Sequence, residues 1–144
     1  MLALSATIVT TRREIGADDF FHGMFETALE EGEIVVRLLF PLPQRAAYAK
    51  FPHPASGYAM TGVFIAETKT GIRVAVTGAG PGVFRWSDAE RALAKKLNPA
   101  ALDALAVAAG DLNEDIHATR EYRANLVRVM TKRAVQKLLE ISNW

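Results

Sequence analysis

Residues 1–86 carry short apolar and β-branched runs separated by Gly and Pro, a pattern that is typical of β-strands. Strands are predicted over residues 4–10, 33–40, 48–51, 58–68, 72–77 and 83–86. Gly71 separates two of these runs by only a few residues, which predicts a hairpin. A short helical turn is predicted over residues 17–21, closed by Gly23.

The chain beyond residue 86 changes to the apolar spacing of helices. Ser87 and Glu90 form a capping-box pattern, which predicts a helix that continues to about residue 96. Asn98 followed by Pro99 predicts the start of a second helix, which Gly110 ends. Its apolar residues follow the helical spacing and are Leu102, Leu105, Ala106 and Ala109.

The longest helix is predicted over residues 119–140. Its apolar stripe comprises Tyr122, Leu126, Met130, Ala134 and Leu138, flanked by Val127, Val135 and Leu139. The basic residues Arg120, Arg123, Arg128 and Lys132 lie mostly off this stripe. Strands followed by helices indicate an α+β fold, with an antiparallel sheet packed against the C-terminal helices. The composition changes near residues 41–43 (Pro-Leu-Pro), which is the best boundary between an N-terminal segment and the main domain.

Composition excludes several classes of function. The 144 residues are 50% hydrophobic, enough for one core, and 17 Lys and Arg nearly balance 16 Asp and Glu. A net charge of +1 gives no electrostatic case for binding nucleic acid or an anionic membrane. No cysteine is present, which excludes disulfides, thiol catalysis and an iron–sulfur cluster held by this chain.

The sequence also lacks the signals of export and membrane insertion. The start of the chain has no basic region before its short apolar run and does not resemble a signal peptide. The apolar stretch 100–109 contains Asp103 and is too short to span a bilayer. We therefore expect a cytoplasmic location and no membrane span.

Two motifs invite a ligand-binding interpretation that their spacing does not support. Residues 78–82 read Gly-Ala-Gly-Pro-Gly, whereas a dinucleotide fingerprint needs a different spacing and a helix that starts within it. A strand-to-strand turn is the better prediction. Asp111, Asn113 and Asp115 resemble the start of a calcium loop, but Ile116 and Tyr122 occupy the positions that need Gly and Glu. An acidic connection between helices is predicted there.

No catalytic centre or metal site emerges from the residues alone. His22, His53 and His117 lie far apart in the sequence, and His53 is interpreted as a surface or loop-anchoring residue. Lys50 lies in a short strand beside a loop, where it either faces solvent or binds a ligand. Glu26, Glu30, Glu31 and Glu33 are interpreted as a solvated acidic surface.

Four segments together resemble one protein family. They are REIGADDFFHGMFETALEEGEIV (13–35), AYAKFPHPASGYAMTGV (47–63), RVAVTGAGPGVFR (73–85) and DLNEDIHATREYRANLVRVMTKRAV (111–135). They resemble the C-terminal half of the FAD-binding medium subunit of molybdenum hydroxylases, a group that includes aerobic carbon monoxide dehydrogenase and bacterial xanthine dehydrogenase. The resemblance covers nearly the whole chain, in order and at the spacing of the family.

The resemblance implies a place in an electron-transfer complex. A molybdopterin large subunit oxidises the substrate, and electrons pass through a small two-cluster iron–sulfur subunit to FAD on the medium subunit, which passes them to an acceptor. Residues 1–41 would be the tail of the FAD-binding domain, and residues 44–144 the flavoprotein C-terminal domain, an α+β sandwich. Val35 would pack against the isoalloxazine, and Lys50 would lie near the ring, where it stabilises negative charge on the reduced flavin.

The sequence also departs from the family pattern. It lacks the glycine-rich pyrophosphate-binding segments of the family's N-terminal half, so we expect this chain alone not to bind FAD. Gly57 follows Ser56 where the family usually has Arg, which weakens the expected contacts of that loop. Because Met1 begins partway through the family pattern, a truncated gene product, an expression fragment and a split subunit all remain open.

Three functions therefore remain for the chain. The first is a flavoprotein-subunit fragment, and the second is a non-catalytic interaction or assembly domain that keeps the fold without the cofactor. The third is an unrelated small-molecule binding domain. A domain taken from an obligate complex exposes more apolar surface than a monomer needs, so we also expect self-association in isolation.

Overall fold

The structure is a computed structural model that describes residues 1–141. The N-terminal segment contains a three-stranded antiparallel sheet in the order β2-β1-β5 and a small hairpin of β3 and β4. The strands are β1 (Thr7–Thr10), β2 (Glu14–Gly16), β3 (Phe21–Gly23), β4 (Glu26–Thr27) and β5 (Val35–Leu39). The predicted helical turn is confirmed as a 3-10 turn, Ala17–Asp19, although Gly23 belongs to β3 rather than closing the turn.

The second sheet has four antiparallel strands in the order β6-β7-β8-β9. They are β6 (Arg45–Pro52), β7 (Ala59–Thr68), β8 (Gly71–Thr77) and β9 (Phe84–Arg85). The predicted hairpin joins β7 to β8, where Thr68 pairs with Gly71 and Gly71 has a φ of 124°. No named element lies between β5 and β6, where the domain boundary is predicted. The predicted domain 44–144 extends into residues 142–144, which lie outside the described part of the chain.

Two α-helices follow the strands, α1 (Ser87–Lys95) and α2 (Arg120–Glu140). The predicted helix over residues 119–140 is confirmed by α2, which Thr119 caps by accepting a hydrogen bond from the backbone N–H of Tyr122. The capping box predicted for α1 is wrong, because Ser87 lies inside the helix and Trp86 precedes it without a side-chain cap. The carboxylate of Glu90 instead accepts hydrogen bonds from the backbone N–H of Val74 and from the side chain of Arg85. Both donors belong to the sheet, and they take the carboxylate that a capping box would use for the helix start.

The predicted helix over residues 99–109 is also wrong. Asn98 does cap a helical start, but only a 3-10 turn follows, Pro99–Leu102. A second 3-10 turn, Ala109–Asp111, contains the Gly110 that was expected to end the helix. Between the turns, Leu105 and Val107 are partly buried against the core while their neighbours are exposed. This alternation is that of an extended segment, so packing on the core overrides the helical spacing.

The four-stranded sheet is covered on both faces. Val63 and Ile65 of β7 lie in the main core with both helices. Phe64 and Ala66, which point to the other face, pack with apolar residues of the N-terminal segment such as Ile8. The α+β prediction, an antiparallel sheet packed against C-terminal helices, is thus confirmed. Within residues 1–141, no helix is both long and apolar enough to cross a membrane.

Candidate functional site

Lys50 lies on the edge strand β6, and its ammonium group contacts the loop that follows the strand. The side chain is exposed, and its Nζ donates a hydrogen bond to the carbonyl oxygen of Gly57 at 2.9 Å. Tyr48 lies two residues earlier and therefore on the same face of the strand. This face of β6 presents one cation and one phenol beside each other.

The position of Tyr48 depends on a glycine in the neighbouring strand. A Cβ atom at Gly62 would collide with the Tyr48 hydroxyl group, so a larger residue at that position would displace the ring. Partial burial raises the pKa of Tyr48 above its ordinary value. This contact could not be predicted from the local sequence, because the two residues meet only through the register of β6 and β7.

Val35 is the first residue of β5, and every residue of that strand is exposed. The exposed apolar residues of this stretch are Ile34, Val35, Val36, Leu38, Leu39 and Phe40. β5 pairs with β1 on one edge, and no other described strand pairs with it. Aliphatic residues on both faces are typical of a strand that neighbouring structure covers on both sides.

The structure places the two predicted site residues on different sheets. Val35 pairs with Thr10 of β1, whereas Lys50 pairs with Gly62 of β7. Among the described residues, no hydrogen bond or ion pair links β5 to β6. A contact of Val35 and Lys50 with one ligand stays a prediction.

The loop after Lys50 is closed by its own backbone. The N–H of His53 donates to the carbonyl of Tyr58 at 2.6 Å, and the N–H of Gly57 donates to the carbonyl of His53 at 2.9 Å. His53 Nδ1 accepts hydrogen bonds from Ala55 and Ser56 at 3.2 and 3.5 Å, which fits the loop-anchoring interpretation.

Folding also brings together two histidines that are distant in the sequence. The ring centroids of His53 and His117 are 4.4 Å apart, with the ring planes nearly perpendicular. This contact has no signal in the local sequence, because it depends on how the 115–118 turn packs against the end of β6. Within residues 1–141, no group of three or more metal-ligating side chains comes together.

The glycine-rich turn connects two strands, β8 and β9, as predicted. The side-chain amide of Asn113 donates a hydrogen bond to the carbonyl oxygen of Gly80. The backbone N–H of Asn113 donates a second hydrogen bond to the carbonyl oxygen of Ala79. Arg123 donates to the carbonyl of Gly78 at 3.1 Å. A dinucleotide cradle presents N–H groups to phosphate, whereas this turn is held through its carbonyl groups.

Arg123 was predicted to lie off the buried stripe of α2, and this prediction is wrong. Only 4% of the surface of Arg123 is exposed to solvent. The guanidinium donates to the carbonyls of Met60 and Gly78 and forms an ion pair with Asp115 at 2.6 Å. The two carbonyls belong to β7 and to the glycine-rich turn, so only the tertiary structure explains a buried arginine at this position.

The helix N-termini do not offer a phosphate site either. The first turn of α1 carries Asp88 and Glu90, and that of α2 carries Glu121. Carboxylates there disfavour a phosphate. Neither the glycine-rich turn nor the starts of these two helices provides a phosphate cradle among the described residues.

The acidic residues before β5 were interpreted as a solvated surface, and for Glu33 this is wrong. Glu33 is 7% exposed and accepts hydrogen bonds from Arg13 and Thr10. Arg13 first, and then Thr10 and the backbone N–H of Glu30, lower the pKa of Glu33 to about 2. This network holds the segment before β5 against β1.

In the predicted acidic connection before α2, Asp115 binds other groups of the same chain. Asp115 accepts the backbone N–H groups of His117 and Ala118 and pairs with Arg123. The backbone N–H of His117 is the main cause that lowers the pKa of Asp115. A carboxylate used in this way closes a turn and neutralises an arginine, so it is not free to bind a metal ion.

A cleft of about 510 Å³ lies elsewhere, between β3, the end of the glycine-rich turn and the start of α1. Phe21, Phe84 and Trp86 contribute to its walls. None of its lining residues belongs to β5, β6 or the 53–58 loop. The cleft is therefore separate from the predicted flavin-contacting residues.

Comparison with known proteins identifies the family. The model of the CO dehydrogenase flavoprotein C-terminal domain matches residues 46–138. The carbon monoxide dehydrogenase medium chain of Hydrogenophaga pseudoflava is 31% identical over 86% of this chain and 47% of its own length. The nicotine 6-hydroxylase medium subunit of Paenarthrobacter nicotinovorans is 32% identical over 94% of this chain and 53% of its own length.

A solved structure agrees with the sequence relatives. A chain of the reconstituted CO dehydrogenase from Oligotropha carboxidovorans superposes with a TM-score of 0.83 at 25% identity, over 99% of this chain and 55% of that one. The chain spans about half the length of the curated relatives it matches. It belongs to the family of CO dehydrogenase flavoprotein C-terminal domains.

Proposed function

We propose that this chain is part of the flavoprotein (medium) subunit of a molybdenum hydroxylase such as carbon monoxide dehydrogenase. In that role the subunit passes electrons from iron–sulfur clusters through FAD to an acceptor. Residues 1–41 are then the tail of the FAD-binding domain, and residues 44–144 the flavoprotein C-terminal domain. The partners are the molybdopterin large subunit and the small two-cluster iron–sulfur subunit, in the cytoplasm.

The exposed strand β5 carries this proposal. Its aliphatic residues point to both faces, and no described strand pairs with its outer edge. Such a strand is stable where further protein covers it on both sides. The matched relatives are about twice as long as this chain, so the rest of a flavoprotein subunit supplies that cover.

Val35 and Lys50 are the residues proposed to contact the cofactor. FAD supplies the electron-accepting chemistry when it is bound. Val35 offers an aliphatic surface for the isoalloxazine at the start of β5. Lys50 holds a cation on the neighbouring sheet, within hydrogen-bond distance of Gly57, where it stabilises negative charge on the reduced ring.

Purification of the tagged chain from its native cells tests the assignment. We expect it to co-purify with larger and smaller partner polypeptides, with FAD, iron and molybdenum in stoichiometric amounts. A chain that purifies without these partners and without flavin would contradict the proposal. That result would favour the alternative function, a non-catalytic assembly domain, which the lack of a phosphate cradle among the described residues also favours.

Lys50→Ala in the purified complex tests the site. A charge-assisted contact contributes about 1.5–3 kcal/mol, and an exposed group lies at the lower end, so flavin reduction should slow about tenfold or the flavin potential should fall. Lys69→Ala is the matched control, since Lys69 is also exposed but lies in the β7–β8 turn. If both variants keep the native rate and potential, the role assigned to Lys50 is wrong.

A further inference from the structure

The cleft beside the start of α1 is bordered by extended stretches of backbone. The strands β3 and β9 and residues 106–108 all contribute to its lining. β9 is the last strand of the four-stranded sheet, and no described strand pairs with its outer edge. The cleft volume of about 510 Å³ lies within the range of roughly 300–1,000 Å³ that is typical of ligand sites.

The register of β9 directs the main chain of Arg85 toward this outer edge. The backbone N–H of Trp86 donates to the carbonyl of Val74 at 3.0 Å, and Arg85 pairs with Ala75 in the same register. Hydrogen-bonded and non-hydrogen-bonded pairs alternate along an antiparallel ladder, so Arg85 and Ala75 form a non-hydrogen-bonded pair. The N–H and C=O groups of Arg85 therefore point away from β8, on the side where Arg85 lines the cleft.

The segment of residues 106–108 offers a second main chain to the same cleft. Val107 is partly buried against the core, whereas Ala106 and Ala108 are exposed, which is the alternation of an extended segment. Among the described residues, the N–H groups of residues 106–108 donate no hydrogen bond. Extended backbones with unpaired donors and acceptors recognise another extended backbone, because main-chain hydrogen bonds can then form along it.

Aromatic side chains provide apolar walls for such a segment. Phe21, Phe84 and Trp86 line the cleft, and Trp86 belongs to the buried core, so its ring is held in place. Aromatic residues in fixed positions are the usual anchors of protein interfaces. A strand that enters the cleft directs every second side chain to one wall, so it needs apolar residues at alternate positions.

The rim of the cleft is acidic. Asp88 and Asp111 line it and are exposed. The positive charge of Arg85 is balanced by ion pairs with Glu90 and Asp18. A basic side chain on the bound segment is therefore favoured at the rim.

We propose that this cleft binds a short extended segment of a partner protein, which adds as a strand to the edge of β9. The segment carries apolar residues at alternate positions and a basic residue for the acidic rim. Because β9 has only two residues, the bound segment is short. The site lies outside the function proposed above, since neither Lys50 nor β5 contributes to it.

A second copy of this chain is a poorer occupant than a separate partner. The exposed apolar strand of this chain is β5, and β1 pairs along one of its edges. With β1 attached, β5 of a second copy has only one edge left for hydrogen bonds. A free segment, in contrast, can bond to β9 on one edge and to residues 106–108 on the other.

Calorimetric titration of the chain with the peptide acetyl-Thr-Val-Lys-Val-Thr-amide tests the proposal. We expect saturable binding. A matched peptide with ester groups in place of the two amides before the valines keeps the side chains and loses two N–H donors. It should bind at least about fivefold more weakly. Equal binding of the two peptides would show recognition by side chains alone, and it would overturn the added strand, as would no binding at millimolar concentration.

Amide hydrogen exchange, followed by NMR, locates the bound peptide. The Arg85 amide should exchange at least about tenfold more slowly in the saturated complex, because its N–H gains a partner. The amide of Phe84, which pairs with Val76 inside the sheet, is the control and should not change. Saturable binding without slower exchange at Arg85 would place the peptide elsewhere and would overturn the site.

Two tryptophan variants distinguish the cleft from the surrounding surface. Ala108→Trp fills the cleft from an exposed position and should abolish binding. Ala104→Trp is the matched control, because Ala104 is also exposed but does not line the cleft, and it should bind as the native chain does. Unchanged protection of the Phe84 amide shows that both variants are folded. If the two variants bind equally, whether binding is kept or lost, the assigned site is wrong.

The charge preference has its own test. Asp111→Asn should weaken binding of the lysine peptide by up to about fivefold, because an exposed ion pair contributes little. It should leave binding of a peptide with glutamine in place of lysine unchanged. The same effect on both peptides would contradict the basic residue.

Sedimentation velocity separates a partner from a second copy. A saturating concentration of the lysine peptide should leave the association state of the chain unchanged. If the peptide dissociates oligomers of the chain, a second copy occupies the cleft, and the assignment to a separate partner is overturned. None of these measurements uses flavin, so the peptide site and the proposed function can fail separately.

Discussion

At the scale of single residues, the ion pairs of the N-terminal segment are built around one buried carboxylate. Glu33 accepts hydrogen bonds from Arg13 and Thr10, and these lower its pKa to about 2. The spacing of Glu30, Glu31 and Glu33 in the sequence does not indicate that one of them is buried and the others are not. Glu33 differs because a threonine and an arginine from β1 and the turn after it meet it across the sheet.

Glu33→Gln should lower the free energy of unfolding at pH 7 and have a smaller effect near pH 2. A carboxyl group whose pKa is depressed in the folded state contributes stability above its ordinary value of 4.5, and that contribution is lost as the pH falls toward about 2. Urea denaturation of both proteins at the two pH values measures this. The exposed Glu31→Gln serves as control, and an equal effect of the two variants at pH 7 would contradict the prediction.

Other contacts between single residues could not be predicted from the sequence. Arg123 lies on the buried side of α2, where its partners are backbone carbonyls of β7 and of the glycine-rich turn. The contact between His53 and His117 likewise joins residues from two turns. Each depends on a long-range contact, which the local pattern of polar and apolar residues does not encode.

At the scale of elements, the helices and strands that could be predicted are those with a clear apolar spacing in their own sequence. The helix α2 has apolar residues at helical spacing along its whole length, and the structure confirms it. The strands β2 and β4 have three residues or fewer and were not predicted, because only their pairing partners define them. The helix predicted over residues 99–109 is wrong for a different reason. The apolar residues of this segment follow a helical spacing, but their packing on the core favours an extended backbone.

Strand β5 should make the isolated chain self-associate. An exposed apolar edge strand is a template for pairing with another chain. Sedimentation velocity over rising concentration should show association that Val36→Lys reduces, because Val36 is 62% exposed on this strand and a charge blunts the edge. Ile116→Lys adds the same charge at a 95% exposed position in a turn and should not reduce it. A native chain that stays monomeric at high concentration would refute this prediction.

At the scale of the whole molecule, groups that could contact a flavin ring and groups that could hold its phosphates are unequally represented among the described residues. The Lys50 cation and the aliphatic β5 are the groups proposed to contact the ring. The glycine-rich turn uses its carbonyls internally, and the first turns of both α-helices are acidic. The family assignment came from sequence segments in register, whereas this internal use of the turn became visible only in the structure.

The chain alone should therefore not bind FAD. Tight binding needs backbone N–H groups around the pyrophosphate, and each charge-assisted hydrogen bond that is missing costs about 1.5–3 kcal/mol. Three missing bonds amount to roughly 4.5–9 kcal/mol, or about three to six decades of affinity. The purified chain should be colourless, and titration with FAD at micromolar concentration, followed by flavin fluorescence, should show no saturable binding. The complex proposed above, purified from native cells, is the positive control. A yellow preparation of the isolated chain with stoichiometric FAD would show that these residues form a phosphate site of their own, and the assignment of the chain as part of a larger flavin-binding subunit would then fail.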